Sequence, residues 1–97
     1  MSGDRIGFTA ITADGPVNTS GAAVAVYTIT INSGAVAAGQ IALYDGTSTI
    51  GTLLLKLSGL QDDGFTVALN KGHVFSNGCY VDIDSNTTSA VIWYEKI

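Results

Sequence analysis

Charge is what this chain has least of. Charged residues make up 12% of its 97 positions, where a soluble domain usually carries about 25%. Only four are basic (Arg5, Lys56, Lys71 and Lys96), and they are scattered, leaving a formal net charge of −4. No basic patch exists to hold a phosphate backbone or an anionic bilayer, so nucleic acid and membrane are not expected partners. Cysteine is nearly absent too. Cys79 stands alone, which excludes an intrachain disulfide and a multi-cysteine metal site. No apolar run approaches the ~20 residues that a helix needs to cross a bilayer. The opening MSGDRIGFTA lacks the apolar centre of a secretory signal, so the expectation is a protein made in a cytoplasm and used unprocessed. Sequons at Asn18 and Asn86 are read as chance in a chain so rich in Ser and Thr.

What is there is glycine, threonine, serine and β-branched residues in period-two alternation, broken by turn residues at short intervals. In AAVAVYTITIN, Ala23, Ala25, Tyr27, Ile29 and Ile31 fall on one face, with Val24, Val26, Thr28 and Thr30 opposite. Ile41 pairs with Leu43, Leu53 with Leu55 and Leu57, and Phe65 with Val67 and Leu69. Asn70-Lys71-Gly72 reads as a turn before the short piece HVF. In CYVDID, Cys79, Val81 and Ile83 point in while Tyr80, Asp82 and Asp84 point out, and AVIWYEKI is a last strand in which Trp93 alternates with Val91 toward the core. No apolar stripe of period 3.6 runs for ten residues, so long helices are not expected. The predicted fold is all-β: an antiparallel β-sandwich, jelly-roll or immunoglobulin-like, of seven or eight strands. Residues 22–97 form the sandwich domain, and residues 1–21 read as an N-terminal arm or an edge strand.

Catalytic templates fail one by one. Gly46 and Gly51 have the spacing of a phosphate-cradling loop, but Thr52 and Leu53 follow where Lys and Ser/Thr are required. Gly46-x-Ser48-x-x-Gly51 is one residue too long for a nucleophile elbow, and a strand pattern follows it where a helix should. Asp45-Gly46 is instead a hairpin signal. Asp82-x-Asp84-x-Asn86 begins like a calcium loop, yet Thr87 and Trp93 occupy the positions that need Gly and Glu. His73 has no nucleophile or orienting partner at a suggestive spacing, Asp62-Asp63 reads as a solvated loop, and Cys79 as a small buried hydrophobe. No catalytic, cofactor-binding or metal-binding residue is therefore named, no cofactor is expected, and the chain is expected not to be an enzyme. Tyr44, Tyr80 and Tyr94 fall opposite their strands' main apolar sets. They stay open to three readings: a protein-contact surface, packing inside the molecule, or a sugar-stacking platform.

The segments YTITIN, LYDGTSTIGTLL, FSNGCYVDID and IWYEKI, in that order, resemble small β-sandwich virion proteins of tailed bacteriophages, of the capsid decoration, cement or head-fibre type. The resemblance runs from Val26 to Lys96 and leaves residues 1–21 outside. It implies a non-enzymatic structural protein of the virion, bound to the outer surface of the head shell. The major capsid protein or another virion protein would be its partner, and a homo-oligomer or many-copy lattice its assembly. A tail or head-fibre accessory protein and a small carbohydrate-binding module are the alternatives. The family pattern carries no catalytic residues to transfer.

Overall fold

Each stretch of alternation, bounded by Gly, Asn, Asp or Ser, becomes a strand. The structure, a computed structural model, describes residues 6–18 and 21–97, with Asn70 described by its backbone only. Eight strands occur in chain order: β1 (Gly7–Ile11), β2 (Gly15–Pro16), β3 (Val24–Ser33), β4 (Gln40–Asp45), β5 (Thr52–Ser58), β6 (Gly64–Phe75), β7 (Cys79–Ile83) and β8 (Thr87–Lys96). There is no helix among the described residues. If the two paired stretches of β6 are counted separately, the total is nine, slightly above the seven or eight expected.

Two four-stranded sheets form, ordered β1-β8-β3-β6 (sheet A) and β2-β7-β4-β5 (sheet B), with every pair antiparallel. The pairs β1–β8, β2–β7, β3–β6 and β4–β5 are successive rungs of one long ribbon whose tip is the β4–β5 hairpin. Rolled over, the ribbon deals its rungs alternately to the two sheets, and β3–β8 and β4–β7 close them. That is the jelly-roll, and of the two expected sandwich types it excludes the immunoglobulin order. The stretch expected as an arm or an edge strand supplies one edge strand to each sheet, β1 and β2; residues 1–5 and 19–20 lie outside the described residues.

The core lies between the sheets. Val24, Val26, Ile29, Ile31, Ala90, Ile92 and Phe75 from sheet A meet Ile41, Leu43, Cys79 and Val81 from sheet B, all of them buried. Burying this apolar surface is the main force holding the sandwich shut.

Bulges correct the expected faces in two strands. Val26 pairs with Tyr94 and Thr28 with Trp93, so Tyr27 is one residue extra in β3, and the side-chain alternation changes phase there. Val24 and Val26 therefore join Ile29 and Ile31 in the cluster between the sheets, while Ala23, Ala25 and Tyr27 do not, although Ala25 is buried on its own face. On the other side of β3, Val26 pairs with His73 and Thr28 with Ala68, leaving residues 69–72 to bow out opposite Tyr27. Asn70-Lys71-Gly72 is thus a bulge inside one strand and not a turn between two. Gly72 has φ +78°, and a Cβ there would come within 2.8 Å of the Tyr27 ring. In β5, Leu43 pairs with Leu55 but Tyr44 with Leu53, so Leu54 is the extra residue. Leu54, Leu55 and Leu57 pack against the core, and Leu53 is turned outward, 48% exposed.

The third correction is one of phase alone. In β8 the inward set is Ala90, Ile92 and Tyr94. Trp93, expected in the core, is on the outer face, and Tyr94, expected outside, packs inward.

Candidate protein-contact surface

The outward residues of sheet A form rows set by strand pairing. One row runs Phe8, Trp93, Thr28, Ala68 and the next Ala10, Val91, Thr30, Thr66. Beside them lie Glu95, Ala25 and Val74. Phe8 is 62% exposed, Val74 56% and Trp93 39%, with Ile6 also exposed just before β1. The Phe8 and Trp93 rings touch, with centroids 4.8 Å apart and planes tilted by 41°. Single exposed apolar residues need no explanation, but an exposed aromatic pair in contact, with further apolar residues on the same sheet face, makes this face a candidate contact surface.

Most polar groups of this face are paired with one another. The Thr30 and Thr66 hydroxyls share a hydrogen bond of 2.9 Å. The Asn32 amide donates to Ser89 Oγ at 3.0 Å, and the Thr88 hydroxyl donates to the Asn32 carbonyl at 2.9 Å. The Tyr27 hydroxyl donates to Glu95 Oε1 at 2.9 Å, and this bond, with burial and the carboxylate charge behind it, raises the tyrosine above its ordinary pKa. Among the paired outward positions, Glu95 alone is charged. Covering such a face strips little water from groups that need it, because their partners stay in place.

Sheet B presents a different outer face. Leu53, Tyr44, Tyr80 and Pro16 make one row, and Lys56, Ala42 and Asp82 the next. Ala42, small among long neighbours, floors a shallow depression of about 220 Å³ walled by Tyr44, Leu53, Lys56, Gln40, Asp82 and Asp84. Asp14, before β2, accepts a hydrogen bond from the Ile83 N–H at 2.8 Å. Burial raises the Asp82 carboxyl above its usual range, and the neighbouring Asp14 and Asp84 charges push the same way. For Asp84 burial also acts upward, but it is outweighed. Hydrogen bonds from the Gln40 N–H, the Thr87 hydroxyl and the Asn86 N–H hold its carboxyl below the usual range. Asp84 is an anchor for the β4 and β8 ends, with its Oδ1 occupied by these three donors.

The residues screened for catalysis are spread apart by role. Ser48 Oγ accepts from the Ile50 N–H at 3.2 Å, and its carbonyl accepts from Gly51 N at 3.1 Å, closing the loop on itself. A Cβ on Gly51 would meet the Asp45 carbonyl at 2.6 Å, which accounts for the second glycine. Asp45 accepts from the Asn77 N–H at 2.8 Å and so ties this loop to the β6–β7 turn. His73 lies edge-on to Phe75, with ring centroids 5.2 Å apart. Cys79 is buried, and desolvation, with the Asp45 charge behind it, pushes its thiol up to about 12. No hydrogen bond joins Ser48, His73 or Cys79 among the described residues, and no group of three or more His, Cys, Asp or Glu side chains gathers as a metal site there.

Of the three tyrosines read as outward, Tyr44 and Tyr80 lie side by side on sheet B, and Tyr94 does not join them. The Phe8–Trp93 pair on sheet A was missed. A signal for it was present in the sequence: Trp93 lies two residues before Glu95, whose charge marks an outward phase. Comparisons of the chain with protein-family models, with curated proteins and with solved structures find no match.

Proposed function

We propose that the protein is a non-enzymatic structural module that attaches in many copies to a repeating protein surface, and that this surface is the outside of a tailed-phage head shell. The observation that carries the reading is the outer face of sheet A, where Phe8, Val74 and Trp93 stand exposed among polar groups already paired with one another. The resemblance of the Val26–Lys96 segments to decoration proteins supplies the identity of the surface. The physics of the face supplies the mode of attachment. With one charge on the face, binding rests on apolar contact and depends little on salt. Repetition over a lattice makes modest individual sites sufficient.

The test mixes the Phe8→Ser/Trp93→Ser variant, and the parent, with shells lacking the protein across a range of salt. The expected outcome is parent occupancy that changes little with salt and a large loss of occupancy in the variant. Full occupancy by the folded variant would remove sheet A as the docking face. Steep loss of parent binding with salt would remove the apolar mechanism, and absence of the protein from purified virions would end the capsid reading.

A further inference from the structure

The depression on sheet B is built from strand geometry. Ala42 pairs directly with Lys56 on one side and Asp82 on the other. Two strand spacings therefore separate those flanking residues, about 9.5 Å between their Cα atoms. Along β4, Gln40 and Tyr44 lie two positions before and after Ala42, so the long axis is about 13 Å. Any larger residue at position 42 would fill this box. Alanine leaves it open, at about 220 Å³.

Its walls differ in chemistry. Tyr44 and Leu53, paired across β4 and β5, give one end an aromatic and aliphatic surface. Lys56 offers donors from one flank, Asp82 a carboxyl from the other, and Gln40 both donors and acceptors at the far end. With Asp82 and Asp84 against Lys56 the lining disfavours an anion, and no group of three or more His, Cys, Asp or Glu side chains gathers among the described residues to hold a metal cation. A purely apolar ligand would strip water from the polar flanks without replacing it. The volume lies below the about 300 Å³ at the lower end of drug-sized sites. A neutral six-membered ring, with hydroxyls around its rim and C–H groups on its face, meets all of these limits.

We propose that the depression over Ala42 is a binding site for a single pyranose ring, with Tyr44 at one end against its C–H groups and Lys56, Asp82 and Gln40 holding its hydroxyls. The site lies on the sheet opposite the docking face and does not depend on that reading. A particle carrying many copies would present many such sites outward, and weak single sites on a shared scaffold add to useful avidity.

The experiment is a titration of the full chain, labelled with ¹⁵N, with glucose, galactose, mannose and N-acetylglucosamine, followed by amide chemical shifts. At least one sugar is expected to give saturable shifts at Ala42, Tyr44, Lys56 and Asp82, with a Kd in the millimolar range set by so small a contact. Ala42→Leu fills the floor and Lys56→Met removes a flank; each is expected to weaken binding at least tenfold. Phe8→Ser/Trp93→Ser, on the other sheet, is expected to leave it unchanged. The proposal is overturned if no sugar gives saturable shifts at tens of millimolar, or if binding persists in Ala42→Leu with a dispersed native spectrum. Should Ala42→Leu not fold, unchanged binding in Lys56→Met overturns it in the same way.

Discussion

Replacing Gly72 with alanine tests the bulge that links β6 to the Tyr27 ring. At φ +78° an alanine adopts a left-handed backbone, which costs about 1–2 kcal/mol. Its Cβ would also stand 2.8 Å from Tyr27 Cε1 and 3.0 Å from Cζ, too close for either atom to stay in place. The ring cannot swing away freely, because its hydroxyl is tied to Glu95 Oε1 at 2.9 Å. Moving it gives up that bond, about 1 kcal/mol or somewhat more for a charged acceptor. The sum is about 2–4 kcal/mol of lost stability, read as a shift of the urea midpoint at unchanged slope. A double-mutant cycle separates the two parts. With Tyr27→Ala already in place, the ring is gone and Gly72→Ala should cost only its backbone part. The double variant is then more stable than the sum of the single losses by about 1–2 kcal/mol. Additivity within about 0.5 kcal/mol would refute the steric contact, and a Gly72→Ala cost below about 0.5 kcal/mol would refute the left-handed bulge as well.

Cys79→Ala should lower stability by about 1 kcal/mol through the small cavity it leaves, and the native thiol should resist alkylating reagents at neutral pH until the chain is unfolded. Asp84 and Asp82 contribute oppositely to acid stability. Asp84 is depressed in the folded state, so its contribution is present above the unfolded carboxyl pKa and is lost as pH falls through the lower folded value; Asp84→Ala should be destabilising at pH 7 and near neutral in strong acid by urea titration. Asp82 is raised, so the folded state favours its protonated form. Its unfavourable contribution sets in as pH rises from the unfolded toward the folded value, and Asp82→Asn should raise the urea midpoint at pH 7 and not in strong acid. Ser48→Ala and His73→Ala should leave occupancy of shells unchanged wherever the circular dichroism spectrum is native, since neither residue is placed on the docking face; loss of binding in a folded Ser48→Ala or His73→Ala protein would contradict that placement.

The strands were legible because their alternation survives in residues whose types differ between faces. CYVDID is the clearest instance, with Cys79 and Val81 buried against outward Asp82 and Asp84, and Ile41 with Leu43 is another. The faces were not legible where both sides are apolar. In AAVAVY nothing distinguishes Ala25 from Val26 by hydrophobicity, so the extra residue at Tyr27 left no trace in the pattern. The run Leu53-Leu54-Leu55 hid the β5 bulge for the same reason. Trp93 and Tyr94 were exchanged because Val91, taken as inward, set the phase of Trp93, whereas pairing with Val26 places Tyr94 inside. The docking face and the sheet B depression both depend on which strands are neighbours. Phe8 meets Trp93, and Lys56 faces Asp82 across Ala42, only through pairings between distant segments. A single linear pattern does not encode them.

The rolled ribbon also fixes an order of events during synthesis. Sheet A is ordered β1-β8-β3-β6, so β8, the last of these eight strands to emerge from a ribosome, must enter between two of the earlier ones. At about 5–20 residues per second, the stretch from Ser33 to Lys96 takes about 3–13 s to make. Throughout that interval the edges of β1 and β3 that β8 will cover stay unpaired. Nascent chains on one message, threading the same unfinished sheet side by side, can lend each other the missing strand. Strand exchange between neighbouring nascent chains is the misassembly that this strand order invites.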